Sequence, residues 1–166
     1  DNLSFNFKFI LTLFLFVTLL YSVLFYLINI KILSIISFLG LFIYAISIKS
    51  IDENNYDRAF LLSHLHIVIS AVLATIIFGW DYGFYLIIIA IASTTYLNIF
   101  KKRIITYLLA GFDFIIFVFV YLISNVYFPK SAGDFAQIFY LSNLGFLLFL
   151  FVIIFKIYSI VNSVFY

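Results

Sequence analysis

Six long stretches of this chain carry almost no charge, and that succession constrains its fold more than any other feature. A helix needs about 20 apolar residues, rising about 1.5 Å each, to cross the hydrocarbon layer of a bilayer. The stretches are 9–28, 32–48, 59–79, 84–100, 104–128 and 136–155. Asn29 and Lys31 close the first, and Lys49 closes the second. The sequence Lys49-Ser-Ile-Asp-Glu-Asn-Asn-Tyr-Asp-Arg58 then reads as a polar loop. Gly79-Trp-Asp-Tyr-Gly83 separates the third stretch from the fourth, because two glycines and an aspartate favour a tight turn. Lys101-Lys102-Arg103 separates the fourth from the fifth, which the single proline, Pro129, stops. The opening stretch is too long for a signal-peptide core, and no small-residue cleavage site follows it. The expected fold class is therefore all-α: a polytopic membrane bundle of six transmembrane helices forming one domain over 1–166.

Composition excludes the main alternatives. Hydrophobic residues make up 67% of the chain and charged residues 10%. A soluble domain averages about 45–50% and about 25%, so this chain has too few charges to cover a water-exposed surface. A membrane β-barrel needs alternating apolar and polar positions, whereas these stretches are apolar throughout. A net charge of +2 suggests no nucleic-acid partner. No cofactor is expected either. There is no cysteine, and the two histidines, His64 and His66, point about 200° apart on a helix and cannot share one metal.

Orientation follows from the basic residues, which stay on the cytoplasmic side during insertion. Lys8, Lys49, Arg58, Lys101, Lys102, Arg103 and Lys156 fall on one side of a six-span topology, and Lys31 and Lys130 fall on the other. Both termini are thus expected inside, in a multi-pass protein of the inner or plasma membrane. The chain opens on Asp1 and holds no methionine, so it is expected to be a segment of a longer protein, with a cytoplasmic output domain after its last helix.

Few residues carry chemistry. Asp113 lies about nine residues into the fifth stretch, roughly 13 Å deep. A charged aspartate near the bilayer centre costs about 2.5–3.5 kcal/mol, so it must face the bundle, find partners or take up a proton. It is either a ligand- or proton-responsive group or interhelical hydrogen-bond glue, and Gly111 beside it is expected to allow close helix approach. His64 and His66 open the third helix as pH-sensing candidates or as interfacial polar residues. Ser93, Thr94, Thr95 and Asn98 lie at a similar depth on the fourth stretch. They are expected to form one polar cluster with Asp113 and the histidines, unless they bond their own backbone. Trp80 and Tyr82 fit an aromatic belt; alternatively Asp81, with the ring faces of Trp80 and Phe84, forms an outward lip for a cationic ligand. Lys101, Lys102 and Arg103 are expected to meet anionic lipid headgroups. No catalytic constellation is visible, so this segment is expected not to be an enzyme.

The stretch Tyr-Asp-Arg-Ala-Phe-Leu-Leu-Ser-His-Leu-His at 56–66, followed after an apolar run by Gly-Trp-Asp-Tyr-Gly-Phe-Tyr at 79–85, resembles the six-helix N-terminal membrane regions of bacterial nucleotide cyclases. The likeness is chiefly to diguanylate cyclases with a GGDEF output domain. It implies a sensor module that forms a homodimer through the membrane region or the last helix, and it draws attention to His64, His66, Trp80, Gly83 and Phe84. Two other functions fit the residues: half of a small-solute transporter or permease, and a structural or assembly protein of the membrane.

Overall fold

A computed structural model describes residues 2–95, 103–127 and 133–165. Among these the chain is helical, with no strand: α1 (Asn2–Leu27), α2 (Lys31–Asp52), α3 (Tyr56–Phe78), α4 (Tyr85–Thr94), α5 (Arg103–Tyr121) and α6 (Ala136–Phe165). A short 3-10 turn, Trp80–Tyr82, precedes α4, and a π-helical segment, Leu122–Tyr127, continues α5. Five of the helices, α1, α2, α3, α5 and α6, are long and apolar enough to cross a membrane. The helix α4 is apolar but covers only ten described residues, and the second half of the expected 84–100 span lies outside the described residues. The chain divides into two compact units, Asp1–His66 and Ile67–Tyr166, with the boundary inside α3.

In the first unit α1 packs along α2. Phe7, Leu11, Phe14, Thr18, Ser22 and Phe25 are buried on α1; Leu33, Ser37, Gly40, Tyr44, Ser47 and Ile51 are buried on α2. The α2 spacing alternates four and three, the rhythm of a helix that keeps one seam against its neighbour. Small residues on that seam let the backbones approach, as membrane helices without a hydrophobic drive between them require. The opposite faces present Phe16, Leu20, Ile35, Phe38 and Phe42, apolar groups suited to lipid.

Both α1 and α2 end on an asparagine in the left-handed region. Asn29 has φ 63° and Asn54 φ 57°. Ile30 N–H donates to the Phe25 carbonyl, and Asn55 N–H to that of Ser50, the six-to-one bond of a Schellman stop. The expected polar loop 49–58 is accordingly far shorter: α2 runs through Lys49 to Asp52, and α3 begins at Tyr56. Charge marks where a helix leaves hydrocarbon, not where its hydrogen bonding stops. The Asn55 side chain accepts from the Arg58 N–H at 3.2 Å and starts α3. Lys8 of α1 pairs with Asp52 of α2 at this end.

In the second unit the 79–83 turn forms as its sequence suggests. Gly79 (φ 100°) and Gly83 (φ 73°) take backbone angles that disfavour any side chain. Ala71, Ile88 and Val120 form a small core from α3, α4 and α5, with Trp80, Ile116 and Phe117 against it. The helix α6 does not stop at Phe155; it continues through the apolar tail to Phe165.

Candidate functional site

The most developed polar arrangement among the described residues crosses all three helices of the first unit. It begins with an absence of side chain. Gly40 lies on the α2 seam, and a Cβ placed there would run into Cε1 and Nε2 of His66 on α3 and come within 3.0 Å of Thr18 Cγ2 on α1. The glycine is therefore a notch that admits the imidazole. Once seated, the ring is held at both nitrogens. Nε2 lies 3.2 Å from the Ile36 carbonyl, one turn before Gly40, and Nδ1 lies 3.1 Å from the Tyr44 hydroxyl, one turn after it.

The donor directions follow from chemistry. A carbonyl only accepts, so Nε2 carries the hydrogen. In the neutral ring Nδ1 must then accept, and the Tyr44 hydroxyl donates to it. The Thr18 side chain hydrogen-bonds Tyr44, and with Tyr44 already donating, Thr18 is the donor. The line reads Thr18 to Tyr44 to His66 to the Ile36 carbonyl. It lies inside the protein, with Tyr44 1%, His66 6% and Thr18 9% exposed. The Phe14 ring stacks on Tyr44 at 6.0 Å and 11°.

The chain matches no known protein family, no curated protein and no solved structure. The site is thus defined by its own geometry.

The other residues singled out in the sequence are placed as follows. His64 is fully buried, its ring 5.4 Å from Phe60. His66 is 6% exposed, so both histidine side chains lie inside the protein. Asp113 is 1% exposed on α5, on a narrow buried strip with Thr106, Val120 and Ser124. Among the described residues nothing lies within 4 Å of where a Gly111 Cβ would stand, on an exposed face of α5. Ser93, Thr94 and Thr95 each donate to a carbonyl three residues back on α4, at 2.6, 2.6 and 2.7 Å. Their hydroxyls serve their own helix. Asn98, Lys101 and Lys102 lie outside the described residues, and Arg103 opens α5.

At the 79–84 turn, Asp81 is exposed while Phe84 is 2% exposed, stacked on Phe78 at 5.3 Å and against Phe139 at 5.6 Å. Trp80 stacks on Tyr85 at 3.8 Å and meets Phe117 and Tyr121 edge-on. The ring faces expected to greet a ligand are largely occupied by neighbouring rings. The Asn143 side-chain amide on α6 donates to the Tyr82 carbonyl at 3.0 Å and ties the turn down.

Of the central line, sequence reasoning named only His66. Thr18, Gly40 and Tyr44 were hidden among apolar neighbours, although the seam Leu33, Ser37, Gly40, Tyr44, Ser47, Ile51 is a size pattern that the sequence carries.

Proposed function

We propose that this chain is the membrane-embedded sensory module of a signalling protein. It crosses the cell membrane six times with both termini in the cytoplasm, and α6 passes a change in the bundle to a cytoplasmic output domain. The observation that carries this is the Thr18–Tyr44–His66 line. Ionisable and polar groups in a membrane interior are expensive and are kept where they serve function. A signal also needs a two-state element that a stimulus can bias, and a hydrogen-bond line with assignable direction is one.

Two further features support the reading. The 30 residues of α6 span about 45 Å, longer than the hydrocarbon layer, so a shift or rotation at one end is carried out of the bilayer as a rigid rod. The resemblance of 56–84 to cyclase membrane regions points to a nucleotide cyclase as the output and to a second copy of the chain as the partner. Lys101, Lys102 and Arg103 then face anionic headgroups on the cytoplasmic side.

The experiment uses the full-length protein in its own membrane. Tyr44→Phe and His66→Gln should leave the amount of inserted protein unchanged and abolish or lock the response of the output domain. If these two, together with Asp113→Asn and His64→Ala, all leave output and response as in the parent, the sensory reading is wrong. A transporter half has one observation of its own. The π-helical end of α5 holds Ser124 and Asn125, whose Oγ and Nδ2 are buried without a partner among the described residues. Coding sequence beyond Tyr166 separates the two: a linker and cyclase domain for the sensor, six more spans for the transporter.

A further inference from the structure

We propose that the ligand of this sensory site is the proton, taken up at Nδ1 of His66, and that it acts by reversing the hydrogen-bond line across the three helices. The proposal rests on the sensory reading and names its stimulus.

With Nε2 already donating to the Ile36 carbonyl, Nδ1 is the one ring atom able to accept a proton. When it does, it becomes a donor facing the Tyr44 oxygen, 3.1 Å away. The Tyr44 hydroxyl must then turn to accept, and its own hydrogen must go to Thr18 Oγ1. Thr18 no longer donates to Tyr44 and turns its hydrogen to a carbonyl of its own helix. Ser47, Ser50 and Ser63 already bond in that way, each to the carbonyl four residues back. One proton is gained, two hydroxyls rotate, and no bond between heavy atoms forms or breaks. The ring packs against Gly40 at Cε1 and Nε2 and is hydrogen-bonded at both nitrogens, so moving it aside would break both bonds. Reversal keeps every one of these contacts in place.

The titratable group facing His66 from α2 is Tyr44, and from α1 the facing polar group is the Thr18 hydroxyl. On α3 itself, His64 is two residues back and points to another side. Lys49 stands five residues after Tyr44 and Lys31 five before Ile36, about 7.5 Å of helix, both exposed, with Lys49 4.0 Å from Glu53; Lys8 on α1, Asp52 on α2, and Asp57 and Arg58 on α3 stand at least eight residues, about 12 Å of helix, from the line. The proton's charge is therefore received by hydroxyl and carbonyl dipoles.

The test is magnetic resonance of the full-length protein in lipid bilayers, with nitrogen-15 in histidine and carbon-13 at the tyrosine Cζ. His66→Gln and Tyr44→Phe assign the signals by subtraction. At neutral pH, His66 should be protonated at Nε2 only. On acidification, its Nδ1 signal and the Tyr44 Cζ signal should step together at one midpoint. Thr18→Val keeps the shape of the side chain but removes the acceptor that the reversed line needs. It should lower the site's proton affinity threefold or more, and Thr18→Ser should restore it. A neutral ring protonated at Nδ1, a Tyr44 signal flat through the His66 step, or a midpoint indifferent to Thr18→Val would each overturn the proposal. Coupled steps with a pH-indifferent output domain support the proton site and count against the sensory reading. An output domain that still depends on Tyr44 and His66, without coupled steps, supports the sensory reading and overturns the proton.

Discussion

Replacing Gly40 with alanine tests the notch directly. The added Cβ has no room: it meets Cε1 and Nε2 of His66, and Thr18 Cγ2 at 3.0 Å. His66 is the part that must yield, because the other side of the contact is the α2 backbone. Overpacking of this kind costs about 1–3 kcal/mol. Displacing the ring also breaks its two hydrogen bonds, worth roughly 0.6 kcal/mol each between membrane helices. Against this, alanine gains up to about 1 kcal/mol over glycine in helix propensity. The net expectation is a loss of about 1–3 kcal/mol, measured by reversible unfolding in mixed lipid–detergent micelles and followed by circular dichroism. The decisive measurement is the same substitution in a His66→Ala background. With the ring gone, the methyl enters vacated space, so Gly40→Ala should become neutral or stabilising there. A coupling of about 1–3 kcal/mol between the two sites is the expected outcome, within the range for residues in contact. An equal effect of Gly40→Ala in both backgrounds would refute the notch and, with it, the locked ring.

Gly111→Ala and Gly145→Ala meet nothing within 4 Å and should be neutral or stabilising by up to about 1 kcal/mol in the same unfolding assay; a loss like that at Gly40 would show that those faces are covered. Gly83→Ala combines φ 73° with a contact of 2.9 Å to Tyr140 Cδ2, and should destabilise by about 1–3 kcal/mol. Asn143→Leu removes the donor to the Tyr82 carbonyl and should cost about 1 kcal/mol, with a change in the emission of the lone Trp80; an unchanged spectrum would mean that the turn holds itself. The chain has no cysteine, so single cysteines at Asn29, Asn54 and Asp81 read topology cleanly with an impermeant thiol reagent on intact cells. Asn29→Cys and Asp81→Cys should react from outside and Asn54→Cys should not; reaction of Asn54→Cys and Asp81→Cys from the same face would reject the proposed crossing pattern.

Helical class and the Gly79–Gly83 turn were legible in the sequence because length, hydropathy and paired glycines act locally. Helix ends were not. Lys49 and Asp52 signal the edge of hydrocarbon, while the stop belongs to Asn54, whose left-handed backbone shows only in the structure. The site was half legible. A histidine in an apolar run stands out, whereas Tyr44 and Thr18 become its partners only when the rotation of α1 and α2 is known. Rotation was hard to read for a physical reason: in a stretch apolar on every side, polarity carries no period, and the seam is written in residue size. Gly111 shows the limit of that rule, since a small residue next to Asp113 faces open space.

Near the short connection between α1 and α2, Ser22 donates to the Ser34 carbonyl at 3.1 Å while Ser34 donates to the Ser22 carbonyl at 2.9 Å. Ser47 and Ser50 bond within α2, so these four hydroxyls are partnered without later parts of the chain. The consequence concerns biogenesis. The first two helices are neighbours in sequence, joined by three residues and clasped to each other through Ser22 and Ser34, so they can leave the translocation machinery as a pair. The Gly40 notch would then be waiting in lipid before His66 has been inserted.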